Sequence, residues 1–165
     1  MPDWLTHVLV GWGIFNLLTL QKSDIEPFKP AIIVGSVLPD LWYARMIIEP
    51  LLDIDLTWYL YILHTPIGSI LMSLLIGLIF LKDNVWKLGT LFLMIGAIIH
   101  LILDVMLKHI NGGHFLLIPF SLRVFELDIF WPESFAFLLI ALIFWGITYL
   151  LTIKMKCNPK TKLMC

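Results

Sequence analysis

YLYILHTPIGSILMSLLIGLIFL, residues 59–81, decides the fold class of this chain. The stretch carries no Asp, Glu, Lys or Arg, and it exceeds the roughly 20 residues that an α-helix needs to cross the hydrocarbon of a bilayer. Residues 88–107, with a single acid, and residues 134–153, with no charge, show the same pattern. These three stretches predict transmembrane helices.

Two further apolar runs lie nearer the N-terminus. Residues 4–20 are uncharged, and Asp3 with no basic region before them argues against a cleaved signal peptide, so we expect a retained helix. Residues 30–48 contain Pro39, which removes a backbone donor and bends any helix that passes through it. This run predicts either a kinked span or two half-helices. Such breaks are tolerated at membrane depth where the backbone is buried in protein or lines a cavity.

The composition agrees with a membrane protein. It is 60% hydrophobic and 14% charged, and a net charge of −1 leaves no basic excess for a nucleic-acid partner. Cys157 and Cys165 both lie in the tail, so they form neither a disulfide framework nor a zinc site. We therefore expect an all-α polytopic membrane helix bundle of about five membrane segments, one of them broken around Pro39. Residues 1–153 would form the single transmembrane domain, and 154–165 a basic C-terminal tail.

Basic residues predict the orientation, because they collect in the short loops on the cytoplasmic side. With five crossings, eight of the eleven basic residues share the side of the C-terminus: Lys22, Lys29, Lys82, Lys87, Lys154, Lys156, Lys160 and Lys162. Arg45, Lys108 and Arg123 fall on the other side. We expect a multi-pass protein of the plasma membrane with an outer N-terminus and a cytoplasmic C-terminus.

Several ionisable residues lie inside the apolar runs. Asp40 and Asp104 together cost about 5 to 7 kcal/mol at the bilayer centre, so something must compensate for them. By depth, they share the outer side of the membrane with three histidines: His7, His64 and His100. The inner halves of the predicted spans, such as ILMSLLIGLIFL and LGTLFLMIGA, contain nothing ionisable.

These five residues are candidate metal ligands. His100 and Asp104 are four apart, which places their Cβ atoms about 5 to 6 Å apart on one helix face. Alone, the pair is more typical of a buried hydrogen bond or a shared proton than of a metal site. Together with His7, Asp40 and His64, it provides imidazole and carboxylate ligands that suit zinc, manganese or iron. We expect a divalent metal ion with zinc as the first candidate.

Residues 108–133 predict a segment that lies over the helix ends, because it is too hydrophobic for a free linker. Within it, His114 is a candidate further ligand or general acid. Arg123 could bind an anionic head group or act as a topology and lipid anchor. His109 follows Lys108 at the water interface, where a histidine needs no special role.

The chain resembles the membrane-bound metal-dependent hydrolase family, which includes the LexA-regulated inner-membrane hydrolase-like proteins. Five segments carry the resemblance in the expected order: MPDWLTHVLVGW, VGSVLPDLW, ILHTPIGS, HLILD and GGHFLLIPFSLRVF. The resemblance implies a metal site built from His7, Asp40, His64, His100 and Asp104, with the C-terminal helix completing the bundle.

The resemblance also implies a reaction. The family is similar to the helical zinc-dependent phospholipase C and single-strand nuclease superfamily, in which His and Asp hold metal ions for phosphodiester hydrolysis. Trp42 stands where many members carry a second acid two residues after Asp40, and the Arg often found before the central His is absent. These departures weigh against a binuclear site, which uses bridging carboxylates.

We therefore expect a membrane-embedded metal-dependent hydrolase that acts at the outer leaflet on a phosphoester of a lipid or lipid-linked substrate. The chain has no Gly-x-Ser-x-Gly elbow and no cysteine near the polar residues, so a metal-activated water is the expected nucleophile. His114 would protonate the leaving group and Arg123 would hold the phosphate. A proton- or metal-coupled transporter and a structural protein whose metal clamps the helices stay open as alternatives.

Overall fold

A computed structural model describes residues 4–81, 85–108, 113–131 and 134–156, and helices dominate this part of the chain. The helices are α1 (Trp4–Gln21), α2 (Lys29–Gly35), α3 (Arg45–Leu52), α4 (Thr57–Tyr61), α5 (Pro66–Phe80), α6 (Trp86–Val105) and α7 (Phe135–Lys156). Three 3₁₀ turns lie at Ser23–Phe28, Leu38–Ala44 and Ile62–His64. Among the described residues, β pairing is limited to two isolated bridges, which confirms the all-α fold class.

Three helical stretches are long and apolar enough to cross a membrane: Ser23–Leu52, Trp86–Val105 and Phe135–Lys156. The 15 residues of α5 form a shorter apolar helix, and α1 has 18 residues. The predicted polytopic bundle is confirmed. Helix α7 continues to Lys156, so residues 154–156 of the predicted tail are helical, and the rest of the tail lies outside the described residues.

Helix α5 has the reverse polarity pattern of a helix in a water-soluble protein. Its buried positions are small or polar: Gly68, Ser69, Ser73 and Gly77. Its exposed positions are large and apolar: Leu71, Leu75, Leu78, Ile79 and Phe80. Lipid tails are as apolar as Leu, so the hydrophobic effect does not drive helices together in a membrane. Membrane helices associate instead through small residues that allow close packing. The pattern indicates that the exposed face of α5 contacts lipid.

Helix α6 is the centre of the bundle, because it packs against α2 on one side and α5 on the other. The approach to α2 is backbone to backbone. A Cβ atom at Gly96 would overlap the carbonyl oxygen of Ile32, and one at Gly35 would overlap the backbone of Leu93. Helix α1 packs mainly against α7 and completes the bundle.

The segment around Pro39 is broken as predicted. Helix α2 ends at Gly35, the 3₁₀ turn Leu38–Ala44 follows, and α3 begins at Arg45. Pro39 has no N–H to continue an α-helical ladder, so the chain tightens into a 3₁₀ turn at that point. Asp40, in the first turn of this 3₁₀ segment, is buried in the protein.

The prediction of one continuous helix over residues 59–81 is wrong. The chain forms α4 and the 3₁₀ turn Ile62–His64, and then Thr65 adopts an extended conformation with φ −122° and ψ 155° before α5 begins. Pro66 is the physical reason, because proline disfavours the helical conformation in the residue before it. The Thr65 hydroxyl accepts a hydrogen bond from the Gly68 amide at 3.2 Å and caps α5.

The segment after α6 lies over the end of that helix, as expected from its composition. The Leu127 amide donates to the carbonyl of Val105 at 2.8 Å, and the Ile129 amide donates to the carbonyl of Met106 at 3.0 Å. The last carbonyls of a helix have no partner within the helix, so this segment satisfies groups that hydrocarbon would leave bare.

The close contact between α6 and α2 can be tested by substitution. Gly96→Ala should lower the free energy of unfolding by about 1 to 3 kcal/mol, because the added methyl group meets backbone that cannot move aside. Gly146→Ala on α7 is the matched control, since the added Cβ would meet no atom within 4 Å beyond its own turn of helix. The control should leave stability unchanged or raise it by about 0.5 to 1 kcal/mol. Thermal unfolding in detergent measures both, and equal melting temperatures would contradict this packing.

Candidate metal centre

The structure gathers the five predicted ligands and His114 into one group, which we call the His–Asp cluster. His7 comes from α1, Asp40 from the 3₁₀ turn after α2, His64 from the turn before α5, His100 and Asp104 from α6, and His114 from residues 113–131. The first five are buried, and the side chain of His114 is 12% exposed. Five segments that are distant in the sequence therefore meet at one point.

Asp104 is the centre of the cluster. Four imidazoles surround its carboxylate: His64 Nε2 at 2.7 Å, His100 Nε2 at 3.1 Å and His114 Nε2 at 4.0 Å from Oδ2, and His7 Nε2 at 3.3 Å from Oδ1. Asp40 approaches from the other side, with Oδ1 3.5 Å from His100 Nε2. The two carboxylates thus face the same group of ring nitrogens.

The broken segment orients two of these imidazoles. His100 Nδ1 lies 2.8 Å from the carbonyl oxygen of Ser36, and His64 Nδ1 lies 3.4 Å from that of Pro39. A carbonyl oxygen only accepts, so in each ring Nδ1 carries the proton and donates. In the neutral ring, the lone pair of Nε2 then points into the cluster. This arrangement is typical of metal-bound histidines, which donate their second ring N–H to a carbonyl or carboxylate.

The cluster residues fit a divalent cation. His7 Nε2, His100 Nε2 and Asp104 Oδ1 are buried and make no hydrogen bond, so a cation between them would satisfy all three atoms. Their separations of 3.1, 3.3 and 3.5 Å from facing atoms match the spacing of ligands on a tetrahedral zinc ion, about 3.4 Å for bonds near 2.1 Å. Two carboxylates carry a charge of −2, which one divalent cation balances.

The other buried polar side chains carry no charge. Among the described residues, every buried ionisable side chain belongs to the His–Asp cluster, and the remaining buried polar groups are Ser, Thr and Asn. Between α1 and α7, for example, Asn16 donates to Thr148 at 3.5 Å and Thr152 donates to the carbonyl of Asn16 at 3.4 Å. These contacts join α1 and α7 and involve no ionisable group.

Residues outside the predicted set pack around the partly exposed side of the cluster, where His114 lies, which we call the rim. The Tyr61 hydroxyl accepts a hydrogen bond from the Phe115 amide at 3.3 Å, and the two rings lie 5.8 Å apart. Tyr61 also contacts Trp42 edge to face at 6.1 Å. These aromatic contacts tie the His114 segment to the segments that carry Asp40 and His64. The sequence offered no signal for them, since they depend on which segments meet.

Arg123 is not brought into the cluster by any contact of the described residues. It is exposed, and its guanidinium lies 5.8 Å from the ring of Phe125. Phe125 pairs through its backbone with His114, so Arg123 stands near the rim. Its role as a phosphate ligand stays a prediction, as does that of His114. His109 lies outside the described residues.

A comparison with family models supports the membrane assignment. The model of the YdjM inner membrane protein family matches residues 1–163. The chain belongs to this family. Membership of the YdjM family agrees with the resemblance to LexA-regulated inner-membrane proteins and with the apolar helices, but the family's name carries no reaction. No curated protein and no solved structure matches the chain.

Metal binding by this YdjM family member can be tested through its stability. Zinc at about 100 times its dissociation constant should stabilise the wild type by about 2.7 kcal/mol and raise its melting temperature by about 5 to 10 °C. Asp104→Asn should abolish this response, because it removes the charge at the centre of the cluster. Thr90→Val, which changes a buried polar side chain outside the cluster, should retain it. A wild type whose melting temperature ignores zinc, manganese and iron would refute the metal centre.

Proposed function

We propose that this protein is a membrane-embedded, metal-dependent hydrolase of a phosphoester in a lipid or lipid-linked substrate. One observation supports it most: histidine imidazoles converge on the Asp104 carboxylate. Backbone carbonyl oxygens orient two of these rings so that their Nε2 atoms face the cluster. Zinc is the first candidate, with manganese and iron as the others. The His–Asp cluster is therefore the centre that we propose for the metal-dependent hydrolase reaction expected from the family resemblance.

In the proposed reaction, the metal ion and the protein side chains have different roles. A bound zinc ion would lower the pKa of a water molecule to about 7 and polarise a phosphoryl oxygen. The carbonyls of Ser36 and Pro39 keep the rings of His100 and His64 in orientation. His114, at the rim, is placed either to complete the ligand set or to protonate the leaving group. Arg123, further out, would bind the anionic phosphate.

An apolar groove supports a lipid substrate. It lies between α5, α6 and the segment 113–131, and its lining residues are Pro66, Ile70, Ile98, Leu101, Ile102, Val105, Leu116 and Leu127. Leu101 follows His100 and Val105 follows Asp104, so the groove runs beside the helix that carries the cluster. Its walls offer hydrocarbon contacts, which suit an acyl or prenyl chain better than a free sugar phosphate.

A proton relay is the main alternative, and one contact favours it. His64 Nε2 lies 2.7 Å from Asp104 Oδ2, a distance at which the two groups can share a proton. A relay across the membrane needs ionisable stations at several depths. Among the described residues the buried ionisable groups lie in one cluster, which supports a closed site over a pathway. A structural protein whose metal clamps the helices would share the ligand set and lack turnover.

Turnover separates the hydrolase from the structural alternative. The zinc-loaded protein in mixed micelles should hydrolyse a phospholipid phosphodiester bond, and Arg123→Gln should reduce kcat/KM about 10- to 100-fold, the loss expected for a hydrogen bond to a charged group. Metal content and melting temperature should not change. Lys108→Gln is the control, because it removes a cation that lies over Trp131 at 5.6 Å. Metal-loaded protein that cleaves no lipid phosphoester would favour the structural alternative.

The orientation of the site is part of the proposal, and the fold supports it. Lys29 and Lys156 both contact Glu26, at 2.6 and 3.4 Å, near the end of α1. His7 lies near the start of α1, about 20 Å away along the helix. The cluster and these basic residues therefore occupy opposite ends of the bundle. With the basic end in the cytoplasm, the cluster faces the outer side of the plasma membrane.

Thiol labelling of intact cells tests this orientation. Cys157 and Cys165 are the two cysteines of the sequence, so a membrane-impermeant maleimide should label the wild type after the membrane is opened and not before. Asp55→Cys, in a chain with both native cysteines replaced by Ser, should react in intact cells, because Asp55 is exposed between α3 and α4. The reversed labelling pattern would place the site on the cytoplasmic side.

A further inference from the structure

Six potential ligands are more than one tetrahedral ion uses. We infer that the His–Asp cluster holds two cations bridged by Asp104, an inner one with His7 and His100 and an outer one with His64 and His114. This inference rests on the proposed function, because it assigns the ions to the same metal centre. It also specifies the role of His114, which becomes a ligand of the outer ion.

The two oxygens of Asp104 face different histidines. Oδ1 is 3.3 Å from His7 Nε2, whereas Oδ2 is 2.7 Å from His64 Nε2 and 4.0 Å from His114 Nε2. A carboxylate whose two oxygens both face imidazole nitrogens is suited to bridge two ions. His100 Nε2 is also 3.1 Å from Oδ2, so its assignment to the inner ion rests on its stacking with His7 and on the trio that both form with Asp104.

The histidine rings are paired in the same way. The ring of His7 stacks on that of His100, with centroids 3.9 Å apart, and the ring of His64 stacks on that of His114 at 4.7 Å. Two trios of ligand atoms close enough to share an ion follow this pairing: His7, His100 and Asp104, and His64, Asp104 and His114. His7 and His114 do not share a trio among the described residues.

Asp40 belongs to a third trio, with His64 and His100. This trio contains one histidine from each stacked pair, so the Asp40 carboxylate lies near both pairs. The absence of an acid at position 42, which weighed against a binuclear site, does not remove the bridge, because Asp104 supplies it from α6.

The two positions differ in access to solvent and substrate. The side chains of His7 and His100 are 1% and 0% exposed, whereas that of His114 is 12% exposed. The outer ion would therefore exchange more easily, and its ligand His114 comes from an irregular segment instead of a helix. Charge also fits a phosphoester: two divalent cations and two carboxylates leave a charge of +2, which an anionic phosphate can neutralise.

Metal stoichiometry tests the inference on the full-length protein in detergent. After dialysis against excess Mn²⁺, the wild type should hold two equivalents by elemental analysis and give the broadened electron paramagnetic resonance spectrum of an exchange-coupled pair. His114→Ala should hold one equivalent with the six-line spectrum of an isolated ion. Lys108→Gln, as the control on the same side of the bundle, should match the wild type. Stepwise titration of the wild type with Mn²⁺ gives the count even if a variant misfolds.

Each outcome has one meaning. Two equivalents in the wild type and one in His114→Ala support the two-ion site. One equivalent in both proteins overturns the inference and leaves the proposed single-ion hydrolase intact, with His114 as its proton donor. An uncoupled pair of ions would overturn the Asp104 bridge. No bound Mn²⁺, zinc or iron in the wild type defeats the proposed function itself.

Discussion

The contact between the Asp104 carboxylate and its ring of histidines is the interaction on which the rest of this structure depends. A carboxylate at the centre of a bilayer costs about 2.5 to 3.5 kcal/mol, and two of them lie side by side in this bundle. Neither is stable without positive charge nearby, whether from protons or from a metal ion. Four segments besides α6 come together to surround Asp104, so the same contact that neutralises the acid also fixes the arrangement of the helices.

Three irregular parts of the backbone serve this contact. The break at Pro39 frees the carbonyls of Ser36 and Pro39 for two histidine rings, and the extended residue Thr65 follows directly after His64. Residues 113–131 cover the end of α6 and bring His114 to the rim. Hydrocarbon cannot satisfy bare amide and carbonyl groups, so such backbone survives at membrane depth only when it is buried in protein. Here Ser36, Pro39 and Thr65 are buried. Residues 113–131 are largely exposed, and their amides bond to the last carbonyls of α6.

Much of the fold could be predicted because the bilayer imposes strict rules on sequence. The lengths of the apolar runs predicted the ends of α6 and α7 to within three residues, and Pro39 predicted the break. Residues 59–81 carry no charge, but the helix is interrupted at Thr65 because Pro66 disfavours the helical conformation in the residue before it. The candidate ligands were predictable for the same reason as the helices: ionisable residues are rare inside apolar runs and stand out by their cost.

The sequence by itself determined the membrane class, the approximate spans and the identity of the five costly side chains, because hydrophobicity and charge are properties of each residue. Only the tertiary structure decided how they meet: that Asp104 is central, that its two oxygens serve different histidines, and that carbonyls of the broken segment orient the rings. These facts depend on which helix faces lie against each other. The pairing of helix faces follows from the close packing of α2, α5 and α6 through small residues such as Gly96. The sequence of a single segment does not reveal this packing.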